Sequence, residues 1–402
     1  MPPSMRPRAV FLFNHDAAHQ AAHIAGIMAS LALKESGVEC IAAYGTPRIA
    51  EELRRLVSPE AAARITWHDL SLPPLLDAAL ALPNAVLPAR RLARLRASRS
   101  FFASADLVVS TERTCLRVRR RLRAALGEAA PRFVYVPHGS GDRNVAYHPE
   151  LAQFDHMLLS GQKLVDEMVA RGIATADRCH LIGYPKFDAI DRNRRQRFFA
   201  NDRPTFVYNP HFDPRLSSWY DHGPDLLRRA AASDQYNLIF APHVMLFRKT
   251  LHISPEYRTA RRRPEIPAEA LAAANVLIDI DGPNLFNMTY TLSADGYIGD
   301  MSSQVYEFLI RRRPVFFIDT HSADYPHEAA NRAFWANGPV VTSVDELVPL
   351  LEDYQRVGEE YRPVQDRLFA YTIDDRPRER SVDRAAGVLA RLAHSRHTES
   401  SR

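Results

Sequence analysis

The sequence predicts an α/β protein with two lobes, each built on a parallel β-sheet covered by helices. Short apolar runs of strand length alternate with helical patterns along most of the 402 residues, which is typical of parallel sheets. Residues 191–204 interrupt this rhythm with charged side chains and a closing proline, which indicates a connection. Because a domain usually takes roughly 100–200 residues, the length also fits two or three domains. We therefore expect two lobes of similar size whose sheets face a central cleft.

The first lobe is expected over residues 1–190. Apolar runs predict its strands at residues 9–13, 40–44, 65–67, 107–110, 133–136, 157–159 and 179–182. Helical patterns fill the intervals, most clearly at residues 17–35 and 161–171.

After the linker at 191–204, the second lobe is expected over residues 205–375. Its strands are predicted at residues 205–208, 237–241, 276–278, 296–298, 315–318 and 340–342. Two further helices are expected from residue 344 onward, and residues 376–402 are interpreted as a C-terminal helix and tail.

Composition narrows the functional classes. The 52 basic and 47 acidic side chains leave a net charge of +5, a surplus too small to indicate a nucleic-acid partner. Three widely spaced cysteines without a C-x-x-C pair argue against a disulfide framework and a structural zinc site. No apolar stretch approaches the ~18 residues of a membrane span, and the start of the chain lacks the apolar core of a signal peptide. We therefore expect a cytoplasmic protein.

A histidine follows the predicted strand 133–136. His138 lies in the run Val-Pro-His-Gly-Ser-Gly-Asp, where glycine lets the backbone approach a ligand closely. Because imidazole titrates near neutral pH, His138 at a strand end can accept a proton from a hydroxyl. A loop histidine without a catalytic role is the alternative interpretation.

A second pattern combines a strand, a tight turn and a predicted helix that starts at serines. Ser302 and Ser303 are typical helix caps, and the free backbone N–H groups at such an end attract anions. Glu307 lies four residues after Ser303, on the same helix face, where its carboxylate can hold a ribose diol. Asp300 stands in the turn before the serines. A capping role is sufficient to explain serines at positions 302 and 303, but it does not explain the glutamate at position 307.

A second Pro-His pair follows the predicted strand 237–241. There His243 can stabilise phosphate charge by donating an N–H, without a metal. Neither a G-x-G-x-x-G fingerprint nor a P-loop occurs. Several polar residues in proline-bounded or aspartate-rich runs are better interpreted as turns than as ligand or metal contacts: Lys186, Asn209, His211, Asp279, Asp281 and Asn284.

Arginines and leucines alternate at helical spacing through much of residues 89–126. Such helices can lie on an anionic membrane surface, and a solvated helix face is the alternative.

In their order along the chain, these motifs resemble the CDP-glycerol glycerophosphotransferase family, which includes teichoic-acid primases and polymerases. The resemblance covers roughly residues 130–320 and depends on His138-Gly139, the Gly-Tyr-Pro-Lys-Phe-Asp run at 183–188, Asn209-Pro210, Pro242-His243 and Gly-Asp-Met-Ser-Ser followed by Glu307. It implies a GT-B architecture of two Rossmann-like lobes. It also implies transfer of glycerol phosphate from CDP-glycerol to a hydroxyl acceptor, with release of CMP.

By this resemblance His138 is the general base and His243 contacts the donor phosphate, although the motif here is Pro-His rather than His-Pro. The family pattern assigns donor binding to Asp300, Ser302, Ser303 and Glu307, and we add Asn209 and Lys186. The implied partners are a CDP-linked or other nucleotide-diphosphate donor and a hydroxyl acceptor, for which a lipid-linked molecule is one candidate. No metal or cofactor is expected.

Two alternatives remain at this point. Nucleotide-sugar glycosyltransferases share the GT-B architecture and the acidic ribose contact. A non-catalytic GT-B-like protein that binds an envelope partner belongs to a different class.

Overall fold

The computed structural model describes residues 6–14, 22–84, 87–137, 144–254, 258–300, 302, 304–320 and 334–400. The chain forms two compact units. The first comprises Met1–Ala189 and Thr372–Arg402, and the second comprises Ile190–Tyr371. Residues 191–204 thus belong to the second unit, and the end of the chain returns to the first.

The described strands of the first unit are β1 (Arg8–Phe13), β2 (Glu39–Tyr44), β3 (Thr66–Asp69), β4 (Leu107–Ser110), β5 (Arg132–Tyr135), β6 (His156–Leu159) and β7 (Cys179–Leu181). Its described helices before the second unit are α1 (Ala22–Leu33), α2 (Pro47–Leu56), α3 (Pro59–Arg64), α4 (Pro74–Ala79), α5 (Ala81–Asn84), α6 (Ala89–Ala97), α7 (Arg99–Ala103), α8 (Leu116–Leu126) and α9 (Gln162–Ala170).

The described strands of the second unit are β8 (Thr205–Asn209), β9 (Asn237–Phe240), β10 (Leu251–Ser254), β11 (Thr259–Arg262), β12 (Val276–Ile278), β13 (Gly296–Gly299), β14 (Val315–Ile318) and β15 (Val340–Val341). Its described helices are α10 (Gly223–Ala232), α11 (Ala268–Ala272), α12 (Thr289–Ser293), α13 (Gln304–Phe308), α14 (Val344–Glu352) and α15 (Tyr354–Thr372), and α16 (Ser381–Ser400) follows in the first unit.

The first sheet has seven parallel strands in the order β3-β2-β1-β4-β5-β6-β7. Successive side chains along each strand point to opposite faces of the sheet, and both faces are covered by apolar side chains. Phe11 and Phe13 of β1 pack with α1 and α16 on one face, whereas Val10 and Leu12 pack on the other face with residues of α6 to α9. The continuous apolar run of β1 in the sequence follows from this burial on both sides.

The second sheet has six parallel strands in the order β12-β9-β8-β13-β14-β15. Counted along the chain, its strands take the order 3-2-1-4-5-6, which is the Rossmann order and also begins the order of the first sheet. At the centre, Gly296 of β13 lies opposite Phe206 of β8, where an added Cβ would come within 2.5 Å of the phenylalanine ring. Glycine at 296 therefore allows the aromatic core to close over the strand.

The predicted α/β class is confirmed, and two sequence expectations were wrong. Strands β10 and β11 form an antiparallel pair that the sequence analysis did not predict. Three helices rather than two follow residue 344, because α14 and α15 are separate and α16 is distinct from both.

Candidate active site

The strand order of the second unit reverses between β8 and β13. In parallel sheets, ligands bind beyond the carboxyl ends of the strands at such a reversal. Asn209 ends β8, His243 lies three residues beyond β9, and Asp300 directly follows β13. The fold thus brings these three predicted site residues to one edge of the second sheet.

Asn209 holds the strand ends together. Its side chain is buried, its Nδ2 donates to the backbone oxygen of Ala241 at 2.5 Å, and its Oδ1 accepts from the Tyr297 hydroxyl at 3.2 Å. Because Ala241 follows β9 and Tyr297 lies in β13, one amide links three neighbouring strands. This geometry indicates a positioning role.

Asp300 fixes the loop that follows β8. Its carboxylate is fully buried, with one oxygen accepting from the backbone N–H of His211 at 2.7 Å and the other from that of Ser218 at 3.0 Å. Burial raises its pKa to about 7, against the hydrogen bonds, which lower it. With both oxygens bonded to backbone, Asp300 positions the loop and does not present its carboxylate to a ligand.

His243 is oriented through its backbone and its ring. The backbone N–H donates to the Pro210 oxygen at 3.0 Å, and Nδ1 accepts from the Met245 N–H at 3.2 Å. Because Nδ1 accepts a hydrogen bond, the neutral ring carries its proton on Nε2. His243 is half-buried, so this edge of the sheet carries an imidazole whose Nε2 bears a proton.

A second imidazole lies beside it. His211 is buried, and its Nδ1 accepts from the Asp213 N–H at 3.0 Å, which leaves it the same neutral tautomer as His243. The two rings are 5.3 Å apart between centroids, with Phe212 in contact with both. The sequence analysis interpreted His211 as a turn residue. The sequence signal that could have identified His211 is that a Pro-His pair closely follows both β8 and β9.

The turn after β13 leads into a very short helix. Ser302 Oγ accepts from the Gln304 N–H at 3.4 Å, and α13 starts at Gln304 and has five residues. Ser302 therefore caps the start of α13, as the sequence predicted, although the helix is very short. Glu307 in α13 is only 7% exposed. Ser303 lies outside the described residues.

The aspartate-rich run after β12 forms a turn. One oxygen of Asp279 accepts from the Gly282 N–H at 2.6 Å, and the other accepts from the Tyr290 hydroxyl at 2.7 Å. These two hydrogen bonds give the Asp279 carboxylate a structural role in the turn.

The remaining predicted site residues belong to the first unit. His138 lies outside the described residues. The strand before it, β5, pairs with β4, and Val136 continues this pairing by donating to the Ser110 oxygen at 3.0 Å. Lys186 lies in a short 3-10 helix, Pro185–Ala189, after β7.

Comparison with solved structures confirms the GT-B fold class. The wall teichoic acid polymerase TagF is similar over 98% of this chain and 89% of its own, with a TM-score of 0.57 and 16% identity. UDP-GlcNAc 2-epimerase from Neisseria meningitidis is similar over 97% of this chain and 100% of its own, with a TM-score of 0.56 and 10% identity. The lipopolysaccharide outer core galactosyltransferase WaaB gives the same coverage, a TM-score of 0.50 and 10% identity.

Sequence comparison identifies the family. Among curated proteins no match is found. A sequence model of the family described as CDP-glycerol:poly(glycerophosphate) glycerophosphotransferase matches residues 143–386, more than half of the chain. The match takes in β8, β9 and β13, whose ends carry Asn209, His243 and Asp300. The chain therefore belongs to the CDP-glycerol:poly(glycerophosphate) glycerophosphotransferase family.

Proposed function

We propose that this enzyme adds glycerol phosphate from CDP-glycerol to a terminal hydroxyl of a growing poly(glycerophosphate) chain, in the assembly of a teichoic-acid-like polymer. The observation that carries the proposal is the pair of imidazoles at the edge of the second sheet. Two neutral rings with their protons on Nε2, held by backbone hydrogen bonds, are donors suited to phosphate charge.

In the proposed step, an acceptor oxygen attacks the phosphorus that carries glycerol. A new P–O bond forms, the bond to the bridging oxygen breaks, and CMP leaves with the electron pair. His138 takes the proton of the attacking hydroxyl. His243 donates to the phosphate oxygens, with Ser302, Ser303 and Glu307 as further donor contacts. Asn209 and Asp300 keep the strand ends and the His211 loop in place, and Lys186 remains a candidate contact from the first unit.

The first test separates three classes of protein. The purified chain is incubated with CDP-glycerol and a glycerol phosphate oligomer, or with a panel of UDP-sugars. We expect release of CMP together with lengthening of the oligomer. Release of UDP instead would indicate a sugar transferase, and no nucleotide release with any donor would indicate a binding protein. Both results contradict the proposal.

A substitution tests the base. His138→Ala should lower CMP release about a hundredfold or more, because general base catalysis contributes on that scale. Donor binding should persist, so CDP-glycerol should still raise the melting temperature of the variant. His222→Ala, which changes a histidine before α10, is the control and should keep full turnover. Unchanged turnover of His138→Ala would remove this residue from the mechanism.

We further propose that the protein works at the cytoplasmic face of a membrane, on a lipid-linked acceptor. No helix in the described parts of the chain is long and apolar enough to cross a bilayer. Helices α4 and α5 bury no side chain, and Leu75 and Leu82 in them are 88% and 86% exposed. Leucines exposed in this way, just before the arginine-rich α6, fit an interfacial contact with anionic lipid.

Vesicle sedimentation tests this contact. Leu75→Glu with Leu82→Glu should weaken binding to phosphatidylglycerol vesicles about tenfold or more, because burying each leucine contributes about 1.5–3 kcal/mol. Leu271→Glu, at a leucine of α11 that is 65% exposed, is the control and should bind as the unsubstituted protein does. Equal binding by all three proteins would contradict the membrane contact.

A further inference from the structure

A cavity of about 250 Å³ lies in the first unit between α6, α7 and α8. Its apolar lining is Leu92, Ala93, Leu95 and Val118. Four arginines complete it: Arg96, Arg99, Arg117 and Arg121. We call this cavity with its four arginines the arginine pocket. It belongs to the first unit, whereas Asn209, His243 and Asp300 belong to the second.

The four arginines differ from their neighbours in their partners. On the same helices, Arg91 pairs with Glu112 at 2.9 Å, Arg119 with Asp155 at 2.7 Å and Arg123 with Glu128 at 3.0 Å. No ion pair or hydrogen bond joins the side chain of any of the four pocket arginines to another described residue. Among the described residues, most arginines of α6, α7 and α8 without such a contact therefore line the cavity, and Arg120 is a further one outside it.

Such an arrangement favours an anionic occupant. Like charges gathered around one cavity repel one another, and an anion between them relieves that repulsion. Guanidinium groups bind phosphate oxygens in pairs of parallel hydrogen bonds, so four of them suit more than one phosphate. The apolar lining offers contact to carbon atoms between the phosphates. The chemistry indicated is a chain of phosphodiesters linked by short carbon units.

Helix α6 also reaches the carboxyl edge of the first sheet. Asn14, which directly follows β1, donates from Nδ2 to the Arg91 oxygen at 3.0 Å. Arg94, one turn along, is buried so close to Gly45 that an added Cβ there would lie 2.8 Å from its Nη1. The arginine pocket is thus joined by one rigid helix to the edge where parallel sheets bind ligands.

We propose that the arginine pocket binds the poly(glycerophosphate) acceptor chain through its phosphodiester groups. This inference rests on the proposed function, because that function supplies an acceptor with one negative charge per repeat. An open cavity bordered by exposed arginines suits a flexible chain that can enter it, whereas the exposed leucines of α4 and α5 suit a flat lipid surface. The pocket thereby holds phosphodiester groups of the part of the acceptor already made.

The test titrates the full chain with a soluble synthetic glycerol phosphate oligomer at low salt, in the absence of lipid. Arg117→Gln with Arg121→Gln should weaken oligomer binding about tenfold, because two partly exposed charge contacts contribute on the order of 1–2 kcal/mol together. Arg96→Gln with Arg99→Gln should have a similar effect from the opposite wall. The matched control is Arg48→Gln with Arg120→Gln, which removes the same charge from exposed arginines outside the pocket and should leave binding within twofold.

Three results would overturn the inference. The first is that the unsubstituted protein does not bind the oligomer, and the second is that the control variant loses as much affinity as the pocket variants. The third is that the pocket variants change binding to phosphatidylglycerol vesicles but not to the oligomer. The last result would assign the pocket to a lipid headgroup. CDP-glycerol binding, followed by the melting temperature, should be the same in all variants. If CDP-glycerol gives no stabilisation and no CMP appears, the proposed function fails, while the oligomer titration still reports on the pocket alone.

Discussion

A single buried carboxylate connects the end of β13 to the loop that carries His211. Asp300 accepts two backbone N–H groups 89 and 82 residues before it in the chain, at His211 and Ser218. A neutral amide at this position has one carbonyl oxygen, so it leaves one of those N–H groups facing an NH₂ group. An unsatisfied buried donor costs about 1–3 kcal/mol, which is enough to loosen the loop beside His243.

The charge of Asp300 should appear in the pH dependence of stability. Burial raises its folded pKa from 3.8 to about 7, so the folded protein holds this proton more tightly than the unfolded chain. The contribution of Asp300 to stability is therefore complete at low pH, below its unfolded pKa, and is lost as the pH rises through about 7. Between about pH 5 and pH 8, the unfolding free energy of the native protein should fall relative to that of Asp300→Asn. Urea denaturation of both proteins measures this difference, and parallel profiles would contradict the raised pKa.

At the scale of elements, strands β6 and β7 carry a pair of histidines to which the proposed mechanism assigns no role. His180 Nε2 and His156 Nδ1 lie 3.3 Å apart, within hydrogen-bond distance, on neighbouring strands. Burial and then the charge of His180 lower the pKa of His156 to about 4, and burial and then Arg391 lower that of His180. Arg132 and Arg178 also face His156 and disfavour its charge, whereas Asp155 opposes them.

This pair should make the first unit sensitive to acid. Because the folded pKa of His156 lies below 6.5, its contribution to stability is present above about pH 6.5 and is lost as the pH falls through about 4. His156→Gln removes the titrating group, so its melting temperature should fall less over that range than that of the native protein. His222→Gln, in the second unit, should follow the native profile. A His156→Gln profile that also matches the native one would exclude the pair as the acid-sensitive element.

At the scale of the whole molecule, the chain returns to its first unit after completing the second. Gly161 lies so close to the returning segment that an added Cβ would come within 2.2 Å of the Thr372 oxygen, and Ser160 accepts from the Asp374 N–H at 2.8 Å. Farther on, Ser30 of α1 donates to the Asp383 carboxylate at 2.6 Å. The residues interpreted from sequence as a helix and tail are thus part of the core of the first unit.

A core substitution in α16 tests this organisation. Leu389 is fully buried among residues of α1 and the first sheet, and Leu389→Ala should destabilise the first unit by about 2–5 kcal/mol, because it leaves a cavity. Arg391→Ala, at an exposed position on the same helix, should change stability by less than about 0.5 kcal/mol. Calorimetry of the two variants measures the effect. A peripheral tail would instead make both changes equally small.

The sequence by itself determined the strands of the two parallel sheets, three of them with their observed bounds. Residues 107–110, 276–278 and 315–318 were predicted with the bounds that β4, β12 and β14 have, because buried parallel strands are local apolar runs. Such strands place their carboxyl ends at one edge, which is why Asn209, His243 and Asp300 lie together in the structure. The pair β10 and β11 escaped prediction because half of its residues are exposed and its pattern is not apolar.

Only the tertiary structure decided which side chains position the site and which are available to a ligand. Asp300 and Glu307 look alike in sequence as polar residues near a turn, yet both are buried, and Asp300 bonds to backbone from a distant loop. The unpaired charges of the arginine pocket depend equally on where Asp155 and Glu128 lie in space. The spacing of apolar residues in a segment indicates which of its side chains pack in the core. Whether a charged side chain is buried, and which residue it pairs with, depends on residues far away in the chain.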